Sequence, residues 1–124
     1  MKGWCGVMEK QDKLGKIRIA NDVLAKIAGF AAMECYGIAG MASPGLPAGV
    51  TQLLSRDKMQ RGVKIKSENN EVEVDLYVIV EFEINMAEVA NNLMSKTKYV
   101  LEKTAGVRAK RIDVHVQGVK LRKS

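Results

Sequence analysis

The sequence predicts a single-domain α+β protein in which strands and helices follow the order β-α-β-β-α-β. Two helices are expected to pack on one face of a mainly antiparallel four-stranded sheet. Three observations lead to this class. The chain has 124 residues, of which 47% are apolar, so it can form one small core. One long segment alternates apolar and polar residues as a half-buried strand does, and two apolar segments begin at capping residues and end at glycine.

The first predicted elements are a short strand and the helix that follows it. In residues 16–20, Ile17 and Ile19 alternate with charged residues, which predicts the strand. Asn21 can cap the helix, which is expected to continue until Gly37. Because this helix is apolar nearly all round, we expect it to be covered on more than one side, either within the monomer or by a partner.

A segment rich in glycine and proline follows the first helix. Residues 37–50 contain both prolines of the chain, which predicts a loop, and a short helix is expected from about Pro47 to Met59. A phosphate-binding loop is not expected, because neither glycine fingerprint is present and the segment follows a helix rather than a strand.

The strongest pattern is a strand at residues 72–84, where apolar residues alternate with an opposite face that carries several acidic residues, namely Glu71, Glu73, Asp75, Glu81 and Glu83. Residues 62–67 form the strand before it, and Asn69 and Asn70 can form a hairpin turn between the two. The predicted cross-strand pairs are Lys66 with Glu73 and Lys64 with Asp75.

The second helix and the last strand complete the predicted order. The helix covers residues 86–105, with Asn85 as its cap and Gly106 at its end. The last strand covers about residues 109–117. Beyond Gly118, apolar residues occupy the alternate positions that are polar in the preceding strand. This change predicts a bulge or the strand end at that glycine. We therefore assign residues 1–14 to a polar leader, 15–119 to the domain and 120–124 to a basic tail.

Charge is distributed unevenly along the chain. Twenty Lys and Arg residues outnumber fourteen Asp and Glu residues, giving +6, and most of this excess lies after residue 105. The candidate interaction residues are Arg108, Lys110, Arg111, His115, Lys120 and Arg122. They could contact an acidic protein face, such as the acidic strand of a second copy, or anionic lipid. The alternative is a solvated tail without a partner.

The sequence gives little support for a chemical site. His115 is the only histidine, and a single His beside Asp113 is a poor metal-ligand set. Cys5 and Cys35 form no disulfide or redox motif, so a reduced cytosolic setting is expected. We expect no catalytic residue, metal or cofactor. With 5% aromatic residues, the sequence offers few stacking side chains for single-stranded nucleic acid, so we do not expect nucleic acid as the partner.

The sequence predicts neither a secretory signal nor a membrane-spanning segment. The start of the chain lacks the apolar stretch of a secretory signal. No window reaches the about 18 apolar residues that a membrane span needs. We therefore expect a cytoplasmic protein that meets a membrane only through a partner.

Several blocks of the sequence resemble the alkaline shock protein family. They are Gly15-Lys16-Ile17-Arg18-Ile19, Gly62-Val63-Lys64-Ile65, Val72-Glu73-Val74-Asp75-Leu76 and Val114-His115-Val116-Gln117-Gly118-Val119. The resemblance covers residues 15–119, although Met94, Ala105 and the leader with Trp4 and Cys5 depart from the family pattern.

The resemblance implies a non-enzymatic protein of Gram-positive bacteria that acts in envelope stress response or homeostasis. Such a protein self-associates or docks on a membrane-anchored partner. Two alternatives stay open at this point. One is a small nucleic-acid-binding module that uses the basic end of the chain, and the other is an accessory protein to a kinase of lipid or small-molecule substrates.

Overall fold

A computed structural model describes residues 7–12, 14–44, 54, 56–68 and 71–120. These residues contain six strands: β1 (Val7–Asp12), β2 (Gly15–Ala20), β3 (Ile38–Met41), β4 (Val63–Glu68), β5 (Glu71–Glu81) and β6 (Arg108–Lys120). The helices are α1 (Asn21–Met33), a 3₁₀-helix (Arg56–Gly62), α2 (Met86–Val100) and a π-helical turn (Leu101–Ala105). Strands β3 to β6 form a four-stranded sheet and β1 pairs with β2 separately, which confirms the predicted α+β class.

Strand β5 lies at the centre of the four-stranded sheet. β6 runs parallel to it along one edge, and α2 supplies the crossover that parallel neighbours need. β4 and β3 run antiparallel to β5 and follow one another along its other edge, opposite residues 71–76 and 78–80 respectively. The sheet is therefore mixed, with two antiparallel pairings and one parallel pairing.

Two details of strand register agree with the sequence pattern. Lys66 lies opposite Glu73, and Lys64 lies opposite Asp75, as predicted. The turn at residues 69–70 lies outside the described residues. The pairing of β5 with β6 shifts register where Val116 and Gly118 face Val78 and Ile79, so the predicted irregularity at Gly118 is a bulge within a longer strand.

The core lies between one face of the sheet and the helices. Five alternate residues of β5 are at most 1% exposed: Val72, Val74, Leu76, Val78 and Val80. α1 contributes Leu24 and Ala28 to this core, and α2 contributes Leu93. Burying a large apolar side chain fully is worth about 1.5–3 kcal/mol, so this layer dominates the stability of the fold.

The start of α1 differs from the prediction. Ala20 occupies the N-cap position and the helix has no side-chain cap. The Asn21 side chain instead donates to the carbonyl of Ile65 at 3.3 Å and accepts from the Ser67 hydroxyl at 2.6 Å. The Asn21 side chain therefore links α1 to β4 by two hydrogen bonds instead of capping the helix. α1 ends at Met33 rather than continuing to Gly37.

Two short strands arise where the sequence pattern predicted none. β1 lies inside the predicted polar leader and pairs with β2, so the predicted first strand does not join the main sheet. β3 lies inside the predicted glycine-rich loop. The short helix expected from about Pro47 to Met59 overlaps the 3₁₀-helix only at its end, and residues 45–53 and 55 lie outside the described residues.

The second helix agrees closely with the prediction. The side chain of Asn85 accepts a hydrogen bond from the Glu88 amide at 3.1 Å, as a cap does. The helical segment continues through the π-helical turn to Ala105 and ends at Gly106, whose φ of 71° lies in the left-handed region that favours glycine. In the described part of the chain, no helix combines the length and hydropathy needed to cross a bilayer.

Candidate functional site

The face of the sheet opposite the helices carries most of the predicted interaction residues. Arg108 Nε lies 3.7 Å from Glu71 Oε2, and Arg111 Nη2 lies 3.4 Å from Glu73 Oε1. Lys110 Nζ lies 3.9 Å from the other oxygen of Glu73. The acidic strand and the basic strand therefore pair within one chain, so these cations are partly neutralised before any partner binds.

His115 lies at the middle of this charged face. Its Nε2 is 3.4 Å from Asp75 Oδ1, and its ring stacks on Tyr77 with centroids 4.5 Å apart and planes 10° from parallel. The sequence pattern suggested Asp113 as its partner, but Asp113 instead contacts Arg111 Nε at 3.2 Å. Asp75 reaches the imidazole because β5 and β6 are adjacent and place Tyr77 opposite His115.

His115 contacts one polar and one aromatic side chain of β5. The Asp75 carboxylate supplies a polar contact and the Tyr77 ring a stacking surface, and the Lys64 ammonium lies 6.0 Å from the centre of the Tyr77 ring. Among the described residues, no group of three or more His, Cys, Asp or Glu side chains is arranged to hold a metal ion.

The remaining two predicted residues lie apart from this cluster or outside the description. Lys120 is opposite Glu81 at the far end of β6, and its carbonyl accepts a hydrogen bond from the Phe82 amide at 3.1 Å. Arg122 lies outside the described residues. The structure thus brings Arg108, Lys110, Arg111 and His115 onto one strand beside β5.

A second candidate site lies on the helical side of the molecule. An apolar groove of about 690 Å³ is bordered by α1, the 3₁₀-helix and the end of α2. Its lining includes Ile27, Phe30, Met59 and Val100, and the Phe30 side chain is 47% exposed. A Cβ added at Gly29 would lie 3.4 Å from Met59 Cγ, so this glycine lets α1 approach the 3₁₀-helix closely.

Sequence reasoning did not identify this groove, although the sequence contains a signal for it. α1 is apolar nearly all round, and the sheet, α2 and the 3₁₀-helix cover only part of that surface. The excess apolar side chains, which include Phe30, remain partly exposed and form one wall of the groove. The sequence pattern predicted that other segments must cover α1 on more than one side. It did not show which part of the helix surface stays exposed.

Cys35 follows the end of α1 and is half-buried against the core. Burial raises the pKa of the Cys35 thiol above its ordinary value, while Lys96 opposes the rise and Glu34 adds to it. Its Sγ donates to the Ala31 carbonyl at 3.5 Å. A thiol with a raised pKa is a weak nucleophile at neutral pH, so Cys35 fits a packing role. Cys5 lies outside the described residues.

Comparison with known proteins identifies the family. The sequence profile of the alkaline shock protein 23 family, described as having a cell envelope-related function, matches residues 9–121. The chain therefore belongs to this family. This result confirms the resemblance found in the sequence blocks, and it extends the family's match into the segment that contains most of β1.

Two curated relatives support membership in the alkaline shock protein 23 family. The chain is 38% identical to the Bacillus subtilis protein YloU over 115 residues, which cover 92% of this chain and 96% of YloU. It is 32% identical to the Streptococcus pyogenes protein Spy1614 over 110 residues, covering 88% of this chain and 91% of the relative. Both are described as uncharacterized, so they assign no activity. No solved structure matches the chain significantly.

Proposed function

We propose that this chain is a non-enzymatic interaction protein that works in the cytoplasm, self-associates and docks on a membrane-anchored partner in envelope stress response or homeostasis. The observation that carries the proposal is the apolar groove beside Phe30. Soluble monomers rarely leave a contiguous apolar patch open without a use for it, and such patches mark surfaces for protein partners.

The groove belongs to a longer apolar stripe along α1. Val23, Ile27 and Phe30 are spaced by four and three residues, so they lie on one side of the helix. Val23 is 46% exposed and Phe30 is 47% exposed. A helix of a partner that presents its own apolar side chains at the same spacing fits such a surface.

Charged residues beside the stripe favour an amphipathic partner over a wholly apolar one. Lys26 and Glu34 both line the groove. Each has an ion-pair partner in the chain, since Lys26 Nζ lies 3.5 Å from Asp22 and Glu34 lies 3.4 Å from Lys96 Nζ. These exposed pairs are worth little to stability and can be exchanged for charges on a docked helix.

The ion pairs on the sheet support a protein partner over nucleic acid. Arg108, Lys110 and Arg111 would have to supply phosphate contacts, but all three contact carboxylates of β5. A polyanion would have to displace Glu71 and Glu73, so these exposed pairs lower the attraction to phosphate slightly without excluding it. We therefore prefer docking on protein to the nucleic-acid module that the basic end of the sequence alone would allow.

A complementation experiment with a matched pair of variants tests the docking proposal. Phe30→Ser removes the aromatic anchor of the groove, whereas Tyr99→Ser removes an aromatic side chain of α2 that is 61% exposed and outside the groove lining. We expect Tyr99→Ser to restore envelope-stress tolerance to a deletion strain and Phe30→Ser to fail. Affinity for the purified membrane partner should fall about 30-fold for Phe30→Ser, as for loss of an interface anchor worth about 2 kcal/mol.

The Phe30→Ser variant can also refute the docking surface. Both variants must first fold as the wild type does, which circular dichroism will show. If folded Phe30→Ser protein complements the deletion strain fully and binds the partner with wild-type affinity, the groove is not the docking surface and this functional assignment loses its support.

A further inference from the structure

Strand β6 has a long open edge. Its thirteen residues pair with β5 along one side. Along its other side, no strand in residues 7–12, 14–44, 56–68 or 71–120 pairs with it. By contrast, β3 and β4 are only four and six residues long. An open strand edge offers a row of backbone donors and acceptors to another chain, and monomeric proteins usually shorten or cover such edges.

Alternate apolar residues of β6 form a row on the core-facing side of this edge, and the helices cover that row incompletely. Ile112, Val114 and Val116 of β6 lie opposite Val74, Leu76 and Val78 of β5, respectively, and share their face of the sheet. The three β5 residues are at most 1% exposed, whereas Ile112 and Val114 are only half-buried and Val116 is 39% exposed. The helical layer therefore stops short over β6, and a further strand at this edge would bury the remainder.

We propose that two copies of this chain pair through the outer edges of their β6 strands, antiparallel and around a twofold axis at Val114. The inference rests on the self-association in the proposed function and names its surface. With the axis perpendicular to the sheet, Val114 faces its counterpart and Ile112 faces Val116 of the second copy. The two sheets become one, and both helical layers lie on the same side.

The side-chain pattern of β6 favours this register over those with the axis at Asp113 or at Ile112. With the axis at Val114, Asp113 faces His115 of the second copy on the polar side of the sheet, which is a complementary pair when the imidazole is protonated. With the axis at Asp113, two carboxylates face each other. With the axis at Ile112, Val114 and Val116 face Lys110 and Arg108 of the second copy, so the apolar row is broken.

Dilution experiments on a matched pair of variants test the surface. Val116→Lys places a charge in the apolar row at the edge, while Tyr99→Lys introduces a lysine at an exposed residue of α2 that lies outside both β6 and the groove lining. Sedimentation and light scattering across a concentration series should give a dimer for the wild type and for Tyr99→Lys. Val116→Lys should raise the dissociation constant at least tenfold while its circular dichroism spectrum stays that of the wild type.

Disulfide trapping tests the register without relying on a destabilising change. In a Cys5→Ser, Cys35→Ser background, Val114→Cys places two thiols opposite each other across the axis, at a separation that a disulfide can bridge. Oxidation should convert it to a covalent dimer, whereas Tyr99→Cys on α2 in the same background should not cross-link.

The outcomes separate this inference from the proposed function. A wild-type dimer that survives Val116→Lys and is not trapped by Val114→Cys overturns the β6 interface but leaves self-association intact. A dimer lost in Tyr99→Lys but kept in Val116→Lys would place the contact on α2 and would also overturn the β6 interface. A wild-type monomer at every concentration and at low salt would overturn both the interface and self-association.

Discussion

Thr97 is a polar residue of α2 that lies in the core, and replacing it measures the energetic cost of burying its hydroxyl group. The residue is fully buried, and its hydroxyl has no hydrogen-bond partner among the described residues. Leaving a buried hydroxyl without a partner costs about 1–3 kcal/mol. Thr97→Val keeps the branched shape, replaces the hydroxyl by a methyl group and changes helix propensity little. We therefore expect the free energy of unfolding to rise by about 1–2 kcal/mol.

Urea unfolding followed by circular dichroism measures this change. The midpoint should move to higher urea with an unchanged slope, because the surface exposed on unfolding is nearly the same. The melting temperature should rise by about 4 °C per kcal/mol in a domain of this size. Thr104→Val is the matched control, since Thr104 is exposed and the same change there should stay within about 0.5 kcal/mol.

The result that refutes this reasoning is a Thr97→Val protein that unfolds at the wild-type urea concentration or below it. A helical threonine can donate to the carbonyl four residues earlier, which here belongs to Leu93. A loss of stability would show that this bond forms in solution and that the hydroxyl is not a source of strain.

Three further predictions concern the core, the charged face and the thiol. Leu93→Ala removes a fully buried side chain of α2 and should lower the free energy of unfolding by about 2–5 kcal/mol in urea titrations. Arg111→Ala removes cross-strand ion pairs of an exposed side chain, so it should cost at most about 1 kcal/mol, and the loss should shrink in 1 M salt (about 3 Å screening length). The pKa of Cys35 is raised in the fold by burial, so the unfolded chain loses this proton first. Stability should therefore fall as pH rises above the ordinary thiol pKa of about 8.5, and Cys35→Ala should reduce that fall in melts between pH 8 and pH 10.

The parts of the fold that local pattern controls were predicted well. The alternation in β5 specified which face is buried, and the charges of β4 specified the register that places Lys66 opposite Glu73. The cap at Asn85 and the glycine at Gly106 specified the two ends of the helical segment that contains α2. In each case the physical cause lies within a few residues of its effect.

The parts that depend on distant contacts were predicted less well. Asn21 has the side chain of a helix cap, but β4 offers it a carbonyl and a hydroxyl that only tertiary packing brings near. β3 contains a glycine and is only four residues long, so it carries too little pattern to be recognised before it pairs with β5. The parallel neighbour of β5 could not be chosen from the sequence, because apolar alternation is the same for parallel and antiparallel edge strands.

The candidate site was also predicted in part. The basic residues of β6 and the acidic residues of β5 were both recognised, but the sequence did not show that they lie on adjacent strands and neutralise one another. The groove at Phe30 was missed because it forms between three segments that are far apart in the chain.

The arrangement of β3 and β4 end to end along β5 has a consequence for the length of the chain between them. A Cβ added at Gly62 would lie 2.9 Å from the carbonyl oxygen of Ala42, so the two ends of the connecting segment are in contact. The entropy of closing such a segment grows only with the logarithm of its length. A longer or shorter connection between Ala42 and the 3₁₀-helix should therefore cost the sheet on either side little, whether it arises in a relative or from an inserted reporter tag.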